Sequence, residues 1–396
     1  MGFWLFFYSM IALLGLYGVF FNTKYQKQLY WTMLFLVWFI VSFRYMIGTD
    51  YLAYAEDVRT MYFSHFSDIL DVNTELIPAL VIYLIQSFGL GFQVYFIVFE
   101  TLLIFFMYYG LKQLTQDNRI HILFFMFYCF TSNTGGMFFS TNGVRQSCAV
   151  SIVFLAICYL LKQERGKFLL FVALASLVHM SAWLALIIYP LRNCKLTAKK
   201  CYAAALVSLL ISVSGLNIYA LNYFFSHFDF YKNYSEAFLY FSQHLESGVG
   251  ISTILYLICF LLVVYITKNY ESDQIGILNF NGLKLCAMLY TCIFIICSVR
   301  FPESVAGSQG VGSIFHRLEV YFLYFYLLFV ACAISSALKF KVLSLISTFM
   351  VAMVFYGGLI SYNLKWLNDY RGDQISTNTN ESAHNINYRF NFDILE

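Results

Sequence analysis

The sequence is poor in charged residues, which make up only 11% of its 396 positions, whereas hydrophobic residues make up 61%. The mean hydropathy is +0.70. Because a soluble domain has about 25% charged residues, this composition excludes an ordinary soluble protein and predicts a chain that crosses a membrane several times. The apolar N-terminal segment has neither a basic leading region nor an A-x-A-like cleavage site, so we expect it to remain as the first helix.

Motifs of several other protein classes are also missing. The ten cysteines form no CxxC pair, and eight of them lie inside apolar runs, which predicts small buried side chains. The glycine-rich stretch 303–313 matches no Walker or dinucleotide pattern. No basic patch with interleaved aromatic residues occurs, so nucleic acid is not an expected partner. No acid-rich metal cage occurs either, and we expect neither a metal nor a cofactor.

Apolar runs of about 20 residues predict the membrane-spanning helices. We predict an all-α polytopic protein with ten full spans, at 3–21, 29–47, 92–111, 121–139, 144–161, 199–216, 250–266, 283–299, 318–338 and 342–361. The shorter run 75–90 is interpreted as a half-inserted outer helix. The run 168–191 is interpreted as a re-entrant hairpin with His179 near its tip.

Loop charges predict the orientation of these segments. Loops rich in Lys and Arg are expected in the cytoplasm, whereas the loop 48–76 holds six acids against one arginine and suits the outside. Residues 1–362 are then one transmembrane domain, followed by a periplasmic polar tail at 363–396. Its periplasmic loops are 48–76, 217–250 and 300–317, so the arginines at the ends of the apolar runs converge on the outer face.

The first of these arginines, Arg44, opens the motif RYMIGTDYLAY. A charge at the centre of a membrane helix costs roughly 2.5–3.5 kcal/mol, and less near its ends. Gly48 permits a sharp turn, after which Asp50 falls within reach of Arg44. The motif is either a helix-end turn with a snorkelling arginine or a site in which Arg44 orients Asp50 as a base.

Arg145 begins the run 144–161 within the motif NGVRQ. Thr141 or Asn142 is predicted to cap this helix, whose N-terminus attracts anions. The guanidinium adds to that field and favours a bound phosphate or pyrophosphate over a simple interfacial arginine. His179 is either a hydrogen-bonded packing residue or a proton acceptor, since histidines titrate near neutral pH.

Two further arginines, Arg300 and Arg317, bracket the stretch 303–313, which we interpret as a mobile outer loop that orders on substrate. Glu319 follows Arg317 by two residues, a spacing at which helical side chains do not meet, so each is expected to face a different partner. Glu100 lies inside a span and is expected to pair with one of the arginines.

The set of arginines predicts recognition of phosphate, because the guanidinium group binds phosphate oxygens through a planar fork. Tyr51 and Tyr54 follow Asp50 in the same outer loop. They are candidates for stacking on sugar rings.

The motifs, taken in order, resemble those of the EpsG/Wzy-type polysaccharide polymerases. The shared features are R-x-x-x-GTDY-x-x-Y from Arg44, VRQ-x-x-A from Val144, H-x-SA from His179 and R-x-E-x-Y-F from Arg317. The resemblance implies a glycosyltransferase-C-like membrane fold. It also implies an enzyme that joins lipid-linked repeat units on the outer face of the bacterial inner membrane.

The resemblance further implies a glycan donor on undecaprenyl pyrophosphate and a lipid-linked glycan acceptor. Membrane lipid and a chain-length regulator protein are the other expected partners. Metal-independent glycosyl transfer would use Arg145 against the leaving group, with Asp50 or His179 as the base. The pyrophosphate ligands would be Arg44, Arg145, Arg300 and Arg317. The substrate contacts would be Tyr51, Tyr54, Gln146 and Glu319.

Other functions remain open at this stage. A flippase or exporter of lipid-linked oligosaccharide would also need outer arginines, together with a charged path between two pseudo-symmetric halves. An O-antigen ligase would share the chemistry, and a membrane acyltransferase would use the histidine from the cytoplasmic side. A purely structural subunit explains none of the arginines. The sequence does not distinguish O-antigen, capsule and exopolysaccharide as products.

Overall fold

The described part of the chain is almost entirely helical. A computed structural model describes residues 2–217 apart from 22–23, 46, 49, 62, 64, 72–73 and 132–135, together with 219, 223, 246–247, 251–268, 277–300 and 308–339. Within these ranges the only strands are two short ones, β1 (Glu246–Ser247) and β2 (Val299–Arg300), which pair antiparallel. The predicted all-α class is confirmed.

The described residues fall into two compact units, the first within Met1–Leu186 and from Ala337 onward, the second within Ile187–Ser336. Helices of the first unit are α1 (Gly2–Leu16), α2 (Gln26–Ser42), α3 (Tyr51–Thr60), α4 (Leu76–Ser87), α5 (Gln93–Leu114), α6 (Asn118–Phe130), α7 (Met137–Asn142), α8 (Val144–Leu161) and α9 (Arg165–Val178). A π-helical turn (Tyr17–Phe21) and 3₁₀ helices at Phe66–Asp71 and Met180–Ile187 complete this part of the chain.

The later helices follow the predicted apolar runs. They are α10 (Ile188–Leu191), α11 (Ala198–Val213), α12 (Ile251–Thr267), α13 (Phe280–Ile296) and α14 (Ser308–Lys339). In the second unit α11 packs against both α12 and α13. All ten cysteines lie in the described ranges with free thiols, and seven of them are buried, as predicted for small apolar side chains.

Three described helices are long and apolar enough to cross a membrane: Gln93–Leu114, Val144–Leu161 and the segment Glu319–Leu338 of α14. They coincide with the predicted spans 92–111, 144–161 and 318–338. Shorter apolar helices occupy other predicted spans. The predicted span 342–361, most of the loop 217–250 and the tail 363–396 lie outside the described residues.

The predicted span 121–139 is not one continuous helix. α6 ends at Phe130, where Thr131 takes an extended conformation, and α7 starts only at Met137. The intervening sequence TSNTGG is rich in residues whose side chains compete for backbone hydrogen bonds or whose backbone favours turns. The length of the apolar run therefore overestimated the helix.

Two irregular segments have the local structure that the sequence suggested. α4 has 12 residues, and at about 1.5 Å per residue it reaches about 18 Å, short of the ~30 Å hydrocarbon core. The chain leaves α9 at His179, which is extended with φ −155° and ψ 117°, before the 3₁₀ helix Met180–Ile187. The interruption at His179 agrees with a predicted hairpin tip, and the hairpin itself stays a prediction.

At the centre of the first unit lies α8, which packs along α5 on one side and α9 on another. Nearly all of its side chains are buried, as expected for a helix with apolar residues around its whole circumference. α5 also packs against α2, and α6 packs against α1 and α2. α8 is therefore held between α5 and α9.

A buried ion pair joins α5 to the chain after α2. Arg44 is 1% exposed, and its Nη1 lies 3.3 Å from Glu100 Oε1. The guanidinium also donates hydrogen bonds to the carbonyls of Val41, Ile47 (3.2 Å) and Thr141 (3.3 Å). The predicted pairing of Glu100 with an arginine is confirmed, and this pair ties the end of α2 to α5 and to α7.

The turn after Arg44 also lies against α7. Gly48 has φ +105°, a conformation that side chains with a Cβ rarely adopt, so the predicted sharp turn is confirmed. A Cβ at this position would lie 2.3 Å from the carbonyl oxygen of Thr141. Gly48 therefore allows the turn to rest directly on the backbone just before α8.

Replacing Gly48 with alanine is expected to destabilise the protein in two ways, through backbone strain at positive φ and through a clash with the carbonyl oxygen of Thr141. Gly89 also has positive φ (+61°) but open space around its Cβ position, and Gly166 in α9 has open space and ordinary φ. We expect Gly166→Ala to match or exceed the wild-type melting temperature. Gly89→Ala should lose about 1–2 kcal/mol, and Gly48→Ala more. Thermal melting in detergent measures the order, and equal melting of the Gly48 and Gly89 variants would contradict the close approach to Thr141.

Removing one member of the buried pair should cost more stability than removing both. Arg44→Met leaves the buried carboxyl of Glu100 without its partner, and we expect a loss of about 3–5 kcal/mol. Arg44→Met/Glu100→Met removes the unpaired carboxyl and should recover part of that loss. Thermal melting of the two purified variants tests this, and a double variant no more stable than the single one would argue against the ion pair.

Candidate functional site

Three chain segments of the first unit meet beside the start of α4. They are the residues just before α4, the first turn of α8 and the end of α9. α4 packs against α9, α3 and α5. Gln86 near the end of α4 donates a hydrogen bond to the carbonyl of Val58 in α3 (2.8 Å), which holds α3 alongside α4.

Glu75 connects Arg145 to His179 through its two carboxylate oxygens. Oε2 accepts a hydrogen bond from Arg145 Nη1 at 2.9 Å, and Oε1 lies 2.7 Å from His179 Nδ1. Two residues that the sequence placed in separate motifs are thus brought together. The residue that links them, Glu75, is not among the site residues predicted from the sequence.

Arg145 has further contacts on the same side. Its Nη1 donates to Thr74 Oγ1 at 2.8 Å, and its guanidinium carbon lies 5.6 Å from the centre of the Tyr54 ring, within cation–π range. The side chains of Arg145, Glu75 and His179 are 27%, 19% and 20% exposed. This cluster is therefore partly exposed, in contrast to the buried pair of Arg44 and Glu100.

Glu75 is ionised at neutral pH. Burial favours its neutral form, but the hydrogen bond with His179 and the positive charge of Arg145 outweigh burial and lower the pKa of Glu75 to about 2. An ionised carboxylate only accepts hydrogen bonds, so His179 Nδ1 must donate. In a neutral imidazole that tautomer leaves Nε2 as the proton acceptor.

Asp57 is a second acid near this cluster. It lies in α3, where burial raises the pKa of its carboxyl, an effect that the charge of Arg145 opposes and Glu56 reinforces. Tyr54, one turn earlier in α3, is buried and stacks on Tyr95 with ring centres 5.7 Å apart. The face of α3 toward Arg145 therefore presents an aromatic ring and a carboxyl group.

The other residues predicted around the GTDY motif have different surroundings. Asp50 precedes α3 and is partly exposed. Tyr51 is 2% exposed, stacks on Phe96 with ring centres 4.9 Å apart and directs its hydroxyl to Gln93 (3.4 Å). Its ring faces are thus used in packing. Arg44 likewise lies in the interior rather than in the open cluster.

The start of α8 corrects one detail of the sequence analysis. The residue before the first turn is Gly143, whereas Thr141 and Asn142 belong to α7. The predicted cap at Thr141 or Asn142 is therefore wrong, because the short α7 precedes α8 with only one residue between them. Gln146, the residue after Arg145, is 4% exposed.

The remaining candidates belong to the second unit. Arg300 lies in β2, where its backbone pairs with Glu246. Arg317 lies in α14, which begins at Ser308, so the second part of the stretch interpreted as a loop is helical. Glu319 in the same helix is buried. Their predicted roles in binding pyrophosphate and substrate stay predictions.

Glu75 was overlooked because it was counted only as one of six acids in the loop 48–76. Its position held a usable signal, since it is the last residue before an apolar helix and helix N-termini favour acids. Its pairing with His179, 104 positions later, depends on how α4 packs against α9. No local pattern contains that information.

The stabilising effect of Glu75 should depend on pH in a defined direction. Because the folded protein lowers its pKa from 4.5 to about 2, the stabilisation is present above about pH 4.5 and is lost as the pH falls toward 2. We expect the difference in melting temperature between wild type and Glu75→Gln to shrink as the pH falls from 4.5 toward 2. A difference that persists unchanged at pH 3 would contradict the ionised bridge.

Comparison with known proteins identifies the family. The EpsG family model matches residues 27–370, which include every residue of the cluster. No curated protein and no solved structure matches the chain. The match covers most of the 396 residues, and the apolar helices are those of a membrane-embedded protein. The chain belongs to the EpsG family, whose members are glycosyltransferase-like membrane proteins of the polysaccharide polymerase type.

Proposed function

We propose that this protein joins undecaprenyl-pyrophosphate-linked oligosaccharide repeat units by metal-independent glycosyl transfer on the outer face of the bacterial inner membrane. The product would be an O-antigen, a capsule or an exopolysaccharide. The single observation that carries the proposal is the solvent-accessible contact of Arg145 and His179 with Glu75. Membership of the EpsG family supplies the reaction class.

Arg145 has the properties that a leaving-group ligand needs. It is permanently charged and partly exposed, and it lies in the first turn of α8, where the helix dipole adds to the attraction for an anion. The departing pyrophosphate gains negative charge as its bond to the sugar breaks. Stabilisation of such developing charge is usually the largest contribution to catalysis, and we assign it to Arg145.

His179 is the base that this geometry favours. Glu75 holds its Nδ1 as a donor, so Nε2 is the atom that accepts the proton of the acceptor hydroxyl. In the proposed step a bond forms between the acceptor oxygen and the anomeric carbon of the donor. The bond from that carbon to the phosphate oxygen breaks, the proton goes to His179, and undecaprenyl pyrophosphate leaves with the bonding electron pair.

The other predicted site residues take secondary positions in this proposal. Asp50 remains the alternative base, because it lies in a partly exposed turn beside α3. Tyr54 supports Arg145 through its ring. Arg300 and Arg317 are retained as proposed additional anion ligands. We assign Arg44 a structural role, since it is buried and paired with Glu100.

The membrane arrangement in this proposal keeps ten spans, a half-inserted helix at 75–90 and a glycosyltransferase-C-like fold. The short α4 and the interruption at His179 support the two irregular segments. The cluster lies at the start of α8 and the end of α9, and their opposite ends meet at the Lys- and Arg-rich turn 162–167. Because basic loops favour the cytoplasm, the cluster belongs on the outer side, beside the acidic loop 48–76.

Substitution of Arg145 or His179 should stop polymerisation without removing the protein from the membrane. We expect Arg145→Ala to lower the rate by about 10²–10³-fold and His179→Gln by about 10²–10⁴-fold. Arg165→Ala is the matched control, because Arg165 is exposed at the opposite end of α9. The measurement is the chain-length ladder of surface glycan in a deletion strain carrying each variant, with membrane levels checked by immunoblot.

The same ladder separates the competing functions. Single-repeat product in the deletion strain indicates a polymerase, loss of all surface glycan a flippase, and unattached polymer a ligase. Wild-type chain lengths with Arg145→Ala would overturn the proposal. A purified reaction with the lipid-linked glycan that accumulates in the deletion strain then tests the donor directly.

A further inference from the structure

Glu75 contacts both proposed catalytic residues, since each of its carboxylate oxygens accepts a hydrogen bond from one of them. A carboxylate that served only to hold the helices together would need neither partner to be exposed. Here both partners reach solvent. The inference that follows rests on the proposed function and concerns how its two catalytic groups are linked.

We propose that Glu75 is a positioning residue that orients His179 as the base and occupies Arg145 until the pyrophosphate of the donor displaces it. One carboxylate oxygen thus binds His179, the proton acceptor, while the other occupies the position where an oxygen of the leaving group will bind. Binding of the donor and the basicity of His179 are therefore coupled through Glu75.

The role toward His179 follows from hydrogen-bond chemistry. The carboxylate fixes Nδ1 as the donor and limits rotation of the ring. When Nε2 takes the proton of the acceptor hydroxyl, the ring becomes positively charged 2.7 Å from Glu75 Oε1. An ionised Glu75 stabilises that charge, and a neutral side chain of the same shape does not.

The role toward Arg145 follows from competition between anions. Arg145 Nη1 donates to both Glu75 and Thr74, so part of the guanidinium is already engaged. A pyrophosphate carries more negative charge than a carboxylate and accepts a bidentate hydrogen bond. It must nevertheless approach against the charge of Glu75, which lowers its affinity.

Displacement releases one oxygen of Glu75 from Arg145 while its other oxygen remains with His179. The negative charge of Glu75 is then no longer shared with a guanidinium. Among the described residues, the groups that interact electrostatically with Glu75 are Arg145 on α8, His179 after α9 and Tyr95 on α5. Asp57 and Tyr54 on α3 interact with Arg145. Arg145 is the permanently charged cation in this set, so binding of the donor makes His179 a stronger base at the moment when the leaving group is in place.

The test separates binding from turnover. We expect Glu75→Gln to lower kcat by about 10²–10⁴-fold, because the stabilising charge on His179 is lost. The same variant should bind inorganic pyrophosphate at least about threefold more tightly, the factor that Coulomb's law gives for two unit charges about 6 Å apart in water. A side chain with a merely structural role would not improve binding while turnover falls.

Two further variants complete the design. Glu56→Gln removes a charge from the exposed side of α3 and should leave kcat and pyrophosphate affinity unchanged. Glu75→Asp keeps the charge but is too short to reach both partners. It should lower kcat while pyrophosphate binds within about twofold of wild type.

The measurements use purified full-length protein in lipid nanodiscs. Turnover is followed with the lipid-linked glycan from the deletion strain, and binding is followed by calorimetry with inorganic pyrophosphate. Wild-type turnover by Glu75→Gln, or weaker pyrophosphate binding, overturns this inference alone if Arg145→Ala and His179→Gln remain inactive. Full activity of Arg145→Ala overturns the proposed function as well. Failure of both Glu75 variants to fold would assign Glu75 a structural role and reject the inference.

Discussion

The buried ion pair of Arg44 and Glu100 is the interaction on which the placement of the site depends. A guanidinium inside an apolar bundle must have its charge balanced and its N–H groups bonded, and here those bonds run to α5 and to three backbone carbonyls. One of the carbonyls belongs to Thr141, just before α8, and Gly48 rests on the same carbonyl. The start of α8, and with it Arg145, is thereby held in place by the chain that follows α2.

Burial separates the two arginines that the sequence treated alike. Arg44 is enclosed, so its bonding capacity serves the interior of the protein. Arg145 is more than one-quarter exposed and shares its charge with one carboxylate at the surface. An anion from outside can compete with Glu75 for Arg145. To bind Arg44, the same anion would have to break several buried hydrogen bonds. The difference lies in which helices surround each residue, since both stand at the end of an apolar run.

Much of the fold could be predicted from hydropathy because the bilayer fixes the length of a spanning helix. α5 and α8 follow the predicted runs closely, and the interruption at His179 coincides with a polar break in an apolar segment. Hydropathy does not register local backbone preferences, which is why the run 121–139 concealed the end of α6 at Phe130. Nor does it register a six-residue helix such as α7, whose presence moved the cap of α8 to Gly143.

The candidate site was only partly predictable for a related reason. Arg145 and His179 stand out in the sequence because a polar group in an apolar run is unusual. Glu75 lies in a loop with five other acids and gains its importance only when α4 packs against α9. Its low pKa arises from two partners that are 70 and 104 positions away. A catalytic base needs a group that orients it. The motifs of His179 and Arg145 therefore imply an acid that neither motif contains. The charge pattern places the acidic loop 48–76 on the same side of the membrane, and such an acid should be sought there.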